Sequence, residues 1–118
     1  MKVLSWNIRG LNSKGKQRYL KDKLKVEKPQ IMLLQETKVS GQKLQSIMQS
    51  FKMKYEVMAI DYVGTSGGIA ILWNVVETSA EGWIGFPRIL TATFHQIGSE
   101  DRIPISAIYG PLIPGERA

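Results

Sequence analysis

Asn7 and Glu36 each close a short apolar run, and together they could hold a cation. Asn7 follows Lys2-Val3-Leu4-Ser5-Trp6, and Glu36 follows Ile31-Met32-Leu33-Leu34-Gln35. Taken singly, a strand-end asparagine is most simply a turn residue and a strand-end glutamate a turn cap. Side by side, a carboxylate and an amide oxygen suit a hard divalent cation such as Mg2+. That ion keeps several of its waters and takes only one or two protein carboxylates. The elements decide whether the two meet. Both runs read as strands and the stretch between them reads as a helix. Strands joined through a helix are normally parallel neighbours. Asn7 and Glu36 are therefore expected at the carboxyl ends of adjacent strands, where ligands bind in α/β sheets.

The first strand is read over residues 2–7. Its apolar run is continuous rather than alternating, so both faces are expected to be buried. A polar loop over 10–16 places Asn12 or Ser13 to cap a helix that runs to about Val26. Tyr19, Leu20, Leu24 and Val26 give that helix an apolar side and lysines fill the other. Pro29 stops it, because Lys28 before it is pushed out of helical geometry. The second strand spans 31–34. Ser40 caps a second helix over 42–51, in which Leu44, Ile47, Met48 and Phe51 follow the helical repeat. Strands are then expected at 55–60 and 69–73, with a loop rich in turn formers over 61–68. Antiparallel strands follow at 77–84, 88–96 and 102–109, with a hairpin loop at 98–101. In the middle one Leu90, Ala92 and Phe94 point one way and Thr91, Thr93 and His95 the other. This is an α/β chain with a mixed sheet and two helices on one face.

Composition bounds the class. The 118 residues are 43% hydrophobic and 22% charged, a single ordinary domain rather than a disordered tract. No apolar run approaches the roughly 18 residues that span a bilayer. The sequence opens directly into a strand, with no secretory segment expected. With no cysteine there is no disulfide framework and no thiolate chemistry, which fits an intracellular protein, with the nucleus open. Net charge is +6, and residues 14–28 hold seven basic residues against Asp22 and Glu27, a local +5. The charge is expected on the outer face of the first helix, away from Asn7 and Glu36. It reads either as a solvated face or as a nonspecific phosphate-binding one.

The string Ser5-Trp6-Asn7-Ile8-Arg9-Gly10-Leu11 followed by Leu34-Gln35-Glu36-Thr37-Lys38 resembles the start of the endonuclease/exonuclease/phosphatase superfamily. Within it the match is to the exonuclease III-like branch that includes apurinic/apyrimidinic endonucleases. It is closer still to the endonuclease domains of LINE-type retrotransposons, with a flavour of the plant elements. Thr65-Ser66-Gly67-Gly68-Ile69-Ala70-Ile71-Leu72 and Ile105-Ser106-Ala107-Ile108-Tyr109-Gly110-Pro111 extend the resemblance over essentially all of the chain, which corresponds to about the first half of the family domain. The implied architecture is the N-terminal half of a four-layer α/β/β/α sandwich, a single truncated domain over residues 1–118. Such a half is expected to leave the sheet face opposite the helices open, to be covered by a partner or by self-association.

The resemblance implies roles. Glu36 would bind Mg2+, with Mn2+ as the alternative. Asn7 would hold a water at the same metal site. The Tyr109 hydroxyl would reach the scissile phosphate, where the plain reading is a boundary aromatic with a wet hydroxyl. Lys38 would balance phosphate charge as a point cation, or simply be a solvated loop lysine. DNA is the implied partner. Arg9 departs from many apurinic-site enzymes, which carry an acidic residue there. Ser66-Gly67-Gly68 enters a strand, not a helix, so it reads as a turn needing positive φ rather than a phosphate cradle. His95, the only histidine, reads as a structural or surface residue. The Gly-Asp-Phe-Asn or Gly-Asp-Leu-Asn and Ser-Asp-His strings of the family's second half are absent. The expectation is a fragment of a Mg2+-dependent DNA endonuclease with little or no activity. The rivals are a noncatalytic nucleic-acid-binding fragment using the lysine-rich helix, and a small-molecule phosphatase of the same superfamily.

Overall fold

Continuous apolar runs at 31–34 and 69–73 and an alternating one at 89–96 make strands, and helical repeats make the two helices of the described residues. The computed structural model describes residues 1–61, 68–86 and 89–108. Its elements are β1 (Val3–Asn7), α1 (Lys14–Glu27), β2 (Ile31–Gln35), α2 (Gly41–Phe51), β3 (Tyr55–Ile60), β4 (Ile69–Asn74), β5 (Thr78–Phe86), β6 (Ile89–Gln96) and β7 (Ile103–Ile108). β1 and β2 pair in parallel, while β4 pairs antiparallel with both β2 and β3, giving a mixed sheet in the order β1-β2-β4-β3. β5, β6 and β7 form an antiparallel sheet in that order.

Both helices start on a serine cap. Ser13 Oγ accepts from Lys16 N at 3.1 Å and Ser40 Oγ accepts from Lys43 N at 3.0 Å, each satisfying an orphan amide of the first turn. α1 ends with Lys28 in the left-handed conformation, φ 47, its amide donating to Leu24 O. Leu20 and Leu24 are fully buried and so is Leu44 of α2, beside Ile47, Met48 and Phe51. Burial of each such side chain contributes about 2 kcal/mol. Met32, Leu34, Ala70 and Leu72 meet them from the sheet, and these residues form one core. The opposite face of the sheet, with Ile31, Met58, Ile69 and Ile71, packs on Leu90, Ala92, Phe94 and Ala107 of the second sheet. The Trp73 and Phe94 rings meet there at 5.9 Å. Tyr55 Oη donates to Pro29 O at 2.6 Å, and burial raises its phenol above the usual tyrosine range.

Three expectations are corrected. The sheet face opposite the helices is not open, because β5, β6 and β7 cover it. Bare apolar surface lies one layer further out, at Ile84 (61% exposed), Ile89 and Ile108 (62%) on the outer side of the second sheet. β1 is not buried on both faces. It is an edge strand, the second sheet packs on β2, β3 and β4, and Val3, Ser5 and Asn7 stay exposed. Tyr19 and Val26 are not on the apolar side of α1. At 100° per residue they lie about 120° and 140° round the helix from the mid-line of Leu20 and Leu24, and are 55% and 77% exposed. No helix among the described residues is long and apolar enough to cross a membrane.

Candidate metal and phosphate site

The carboxyl rim of β1 and β2 is held by backbone bonds that continue past the strands. Asn7 pairs with Gln35 in the parallel register. Beyond that pair, Ile8 N donates to Gln35 O at 3.1 Å, Gly10 N to Glu36 O at 2.7 Å and Leu11 N to Thr37 O at 2.9 Å. Ile8 and Leu11 are fully buried and anchor the loop from below. Lys16 Nζ donates to Ile8 O at 2.9 Å, and Gln17 Nε2 to Leu11 O at 3.0 Å, so the first turns of α1 are tied to the same loop. The structure therefore sets Asn7 and Glu36 on one rim, at the ends of adjacent strands.

The rim backbone is unusual. Among the described residues five non-glycine residues have positive φ; Lys28 and Lys52 are helix C-caps, and the other three are Arg9 (54°), Glu36 (53°) and Lys38 (54°). Each costs about 1 kcal/mol relative to ordinary backbone. Gly10 (101°) and Gly68 (87°) complete the set. Thr37 N donates to Gly68 O at 3.2 Å, and Thr37 is buried against that glycine. A Cβ on Gly68 would lie 2.1 Å from Thr37 Oγ1, so only glycine fits there. The turn expected from its sequence is thus also a close approach, while Ser66 and Gly67 lie outside the described residues.

Asn7 is exposed, and its Oδ1 accepts from Arg9 N at 3.2 Å, the turn role expected of a strand-end asparagine. That bond uses one lone pair of Oδ1, leaving the second and both protons of Nδ2 for a ligand. Glu36 is half-buried and forms no ion pair among the described residues. Lys38 is exposed, its Cδ 3.6 Å from where a Cβ on Gly10 would lie. Tyr109 lies outside the described residues. β7 ends on this rim, since Gln35 Nε2 donates to Ile108 O at 3.0 Å. No group of three or more His, Cys, Asp or Glu side chains is present among the described residues. The donor set therefore fits a cation held by one carboxylate, an amide oxygen, water and substrate, and not a closed protein cage.

Sequence reasoning missed Thr37, Gln35 and Lys16 as parts of this rim. Thr37 and Gln35 stood beside Glu36 in the quoted string, but their contacts are tertiary. Lys16 was counted only as helix charge, yet it reaches the rim. His95 lies on the face of β6 opposite Leu90, Ala92 and Phe94, yet its Nδ1 is buried and has no hydrogen-bond partner among the described residues.

The fold is similar to those of several solved structures. The human Nocturnin catalytic domain with bound sulfate anion superposes with a TM-score of 0.78 at 13% identity, over 98% of this chain and 51% of that one. D. rerio TDP2 complexed with single strand DNA product gives 0.65 at 16%, over 90% and 44%. An AP endonuclease from Archaeoglobus fulgidus gives 0.60 at 22%, over 78% and 36%. The chain spans about half the length of the first solved structures it matches. No curated protein sequence matches it. Likeness at such identities speaks for the fold alone, but the sequence pattern of one family matches residues 4–108, nearly all of the sequence, and the chain belongs to the Endonuclease/Exonuclease/phosphatase family.

Proposed function

We propose that this chain is the N-terminal part of a Mg2+-dependent DNA endonuclease domain of LINE-retrotransposon type, and that these 118 residues alone do not cleave. The observation that carries the reading is Glu36. A glutamate is held in left-handed backbone at a sheet rim by hydrogen bonds to two neighbouring loops, next to an asparagine on the parallel strand. Lys28 and Lys52 take left-handed backbone to end helices, whereas Glu36 ends no helix, and strained residues of this kind cluster at functional sites.

When bound, Mg2+ supplies Lewis-acid neutralisation of phosphate charge. Glu36 would give it a carboxylate oxygen, and Asn7 would hold a water through Oδ1 or Nδ2. Lys38 would meet the phosphate as a point charge, and Tyr109 would donate its hydroxyl to it. Hydrolysis needs more: a base to activate water and a donor for the leaving oxygen. No histidine accompanies Glu36 on this rim among the described residues, and neither Gly-Asp-Phe-Asn nor Ser-Asp-His occurs in the sequence. A small-molecule phosphatase would share Asn7 and Glu36. The basic excess of the chain favours a polyanionic substrate instead.

Two measurements test the reading. Supercoiled plasmid incubated with the chain and Mg2+ is expected to stay intact; nicking that disappears in Glu36→Gln would refute the inactivity while confirming the site. Titration of Mn2+ followed by electron paramagnetic resonance is expected to show weak binding that Glu36→Gln abolishes. Binding unchanged in that variant would remove Glu36 from the site.

A further inference from the structure

We propose that the outer face of α1 is a docking track for the phosphodiester backbone of a nucleic-acid strand. Lys14, Arg18, Lys21, Lys25 and Lys28 follow one another at spacings of four, three, four and three residues. On α1 that spacing lines up Lys14, Arg18, Lys21 and Lys25 in one stripe about 100° round from Leu20 and Leu24, with Lys28, the left-handed C-cap, just past its end. Its five cationic groups run about 21 Å along the axis, one roughly every 5 Å. Lys14, Arg18, Lys25 and Lys28 are exposed and Lys21 is half-buried. None of the five forms an ion pair among the described residues.

The stripe is not neutralised from within. Neighbours on it are like charges one turn apart, an arrangement that disfavours the helix. The first turn of α1 carries no acidic residue, so the positive end of the helix dipole adds to the same field. Glu27 is on the other side of the helix, taken by Lys2 at 3.0 Å, and that contact holds its carboxyl below the usual range. Asp22 is the only acidic residue on the exposed side of α1, which also carries Gly15, Tyr19 and Val26. A row of regularly spaced phosphates satisfies all five cations at once, which a small anion cannot do.

A membrane surface fits less well. Helices that lie on bilayers present a broad apolar face to the lipid, whereas Leu20 and Leu24 of α1 are spent on the core and only Tyr19 and Val26 remain as exposed apolar side chains. The track also has a direction. α1 begins at the rim that holds Asn7 and Glu36, where Lys16 is tied to Ile8 O, so a strand lying along it leads to that rim. The proposal goes beyond the hydrolytic reading and stands without it.

The test is fluorescence anisotropy of a labelled 20-nucleotide single strand with the 118-residue chain, in EDTA, over a range of KCl. Five phosphate contacts predict a slope of log K against log salt of about −3.5 for a single strand. Lys21→Gln/Lys25→Gln is expected to make the slope shallower by about 1.4 and to weaken binding about tenfold at low salt. Lys43→Gln/Lys52→Gln removes the same charge on α2 and is expected to change little. Asp22→Asn is expected to tighten binding. Because EDTA is present throughout, binding that persists under these conditions separates this proposal from the metal site. Glutamine keeps helix propensity, and circular dichroism confirms that each variant is folded. A flat salt response, an equal loss in the α2 pair, or binding to phosphatidylserine vesicles without binding to the oligonucleotide would overturn the proposal.

Discussion

The rim at Asn7 and Glu36 and the outer face of α1 belong to one β-α-β unit but are built by opposite means. At the rim, backbone does the positioning: Arg9, Glu36 and Lys38 hold left-handed φ, and amides of Ile8, Gly10, Leu11 and Thr37 are bonded across loops. On α1 the backbone is ordinary helix and everything specific is in the long side chains. A rim of the first kind can orient one ligand atom and tolerates little change. A face of the second kind reads only charge and its spacing, and each cation on it is replaceable in part. The difference teaches where substitutions should hurt folding and where they should only tune binding.

The largest effect is expected at Gly68. Gly68→Ala forces a Cβ onto Thr37 Oγ1 and strains a φ of 87°. It should destabilise the chain by about 3 kcal/mol, read as a lower urea midpoint. Adding Thr37→Ala should recover part of that loss, because the clash goes and the backbone cost stays. A midpoint unmoved by Gly68→Ala would break the comparison at its stronger side.

A smaller effect changes sign between the two regions. Glu36→Gly relieves left-handed backbone and should stabilise by about 0.5–1 kcal/mol. Lys21→Gly, in the middle of α1, should destabilise by about 1 kcal/mol. The same denaturation series measures both, and equal signs would show that the rim is not strained. The smallest effect is electrostatic. Lys21→Glu sets an opposite charge between Arg18 and Lys25 and should stabilise α1 by about 0.5 kcal/mol at low salt, vanishing in high salt. A gain that survives high salt would mean the stripe carries no repulsion.

Much of this was legible in the sequence. The β-α-β start could be read from two apolar runs, the serine cap and Pro29, because those signals are local. The inward set Leu90, Ala92 and Phe94 followed from alternation, as did the core residues of α2 from the helical repeat. What alternation does not encode is which surface a face will meet, so the docking of β5, β6 and β7 onto the back of the first sheet went unread. The exposure of Val3 escaped for the same reason: an apolar residue on an edge strand looks like one in the middle. For the site, the rim placement of Asn7 and Glu36 was legible from topology. The left-handed backbone at Glu36 was not, since glutamate carries no preference for it. The anchoring by Thr37 and Gly68 depends on two loops that only the folded chain brings together.

Gln35 beside Glu36 is fastened to Ile108, 73 positions later in the sequence. Contacts so distant along the chain close late, after local hairpins and helices have formed. The corner that carries Asn7 and Glu36 therefore closes after the two sheets have met, and anything that delays their meeting delays that corner before it disturbs either layer.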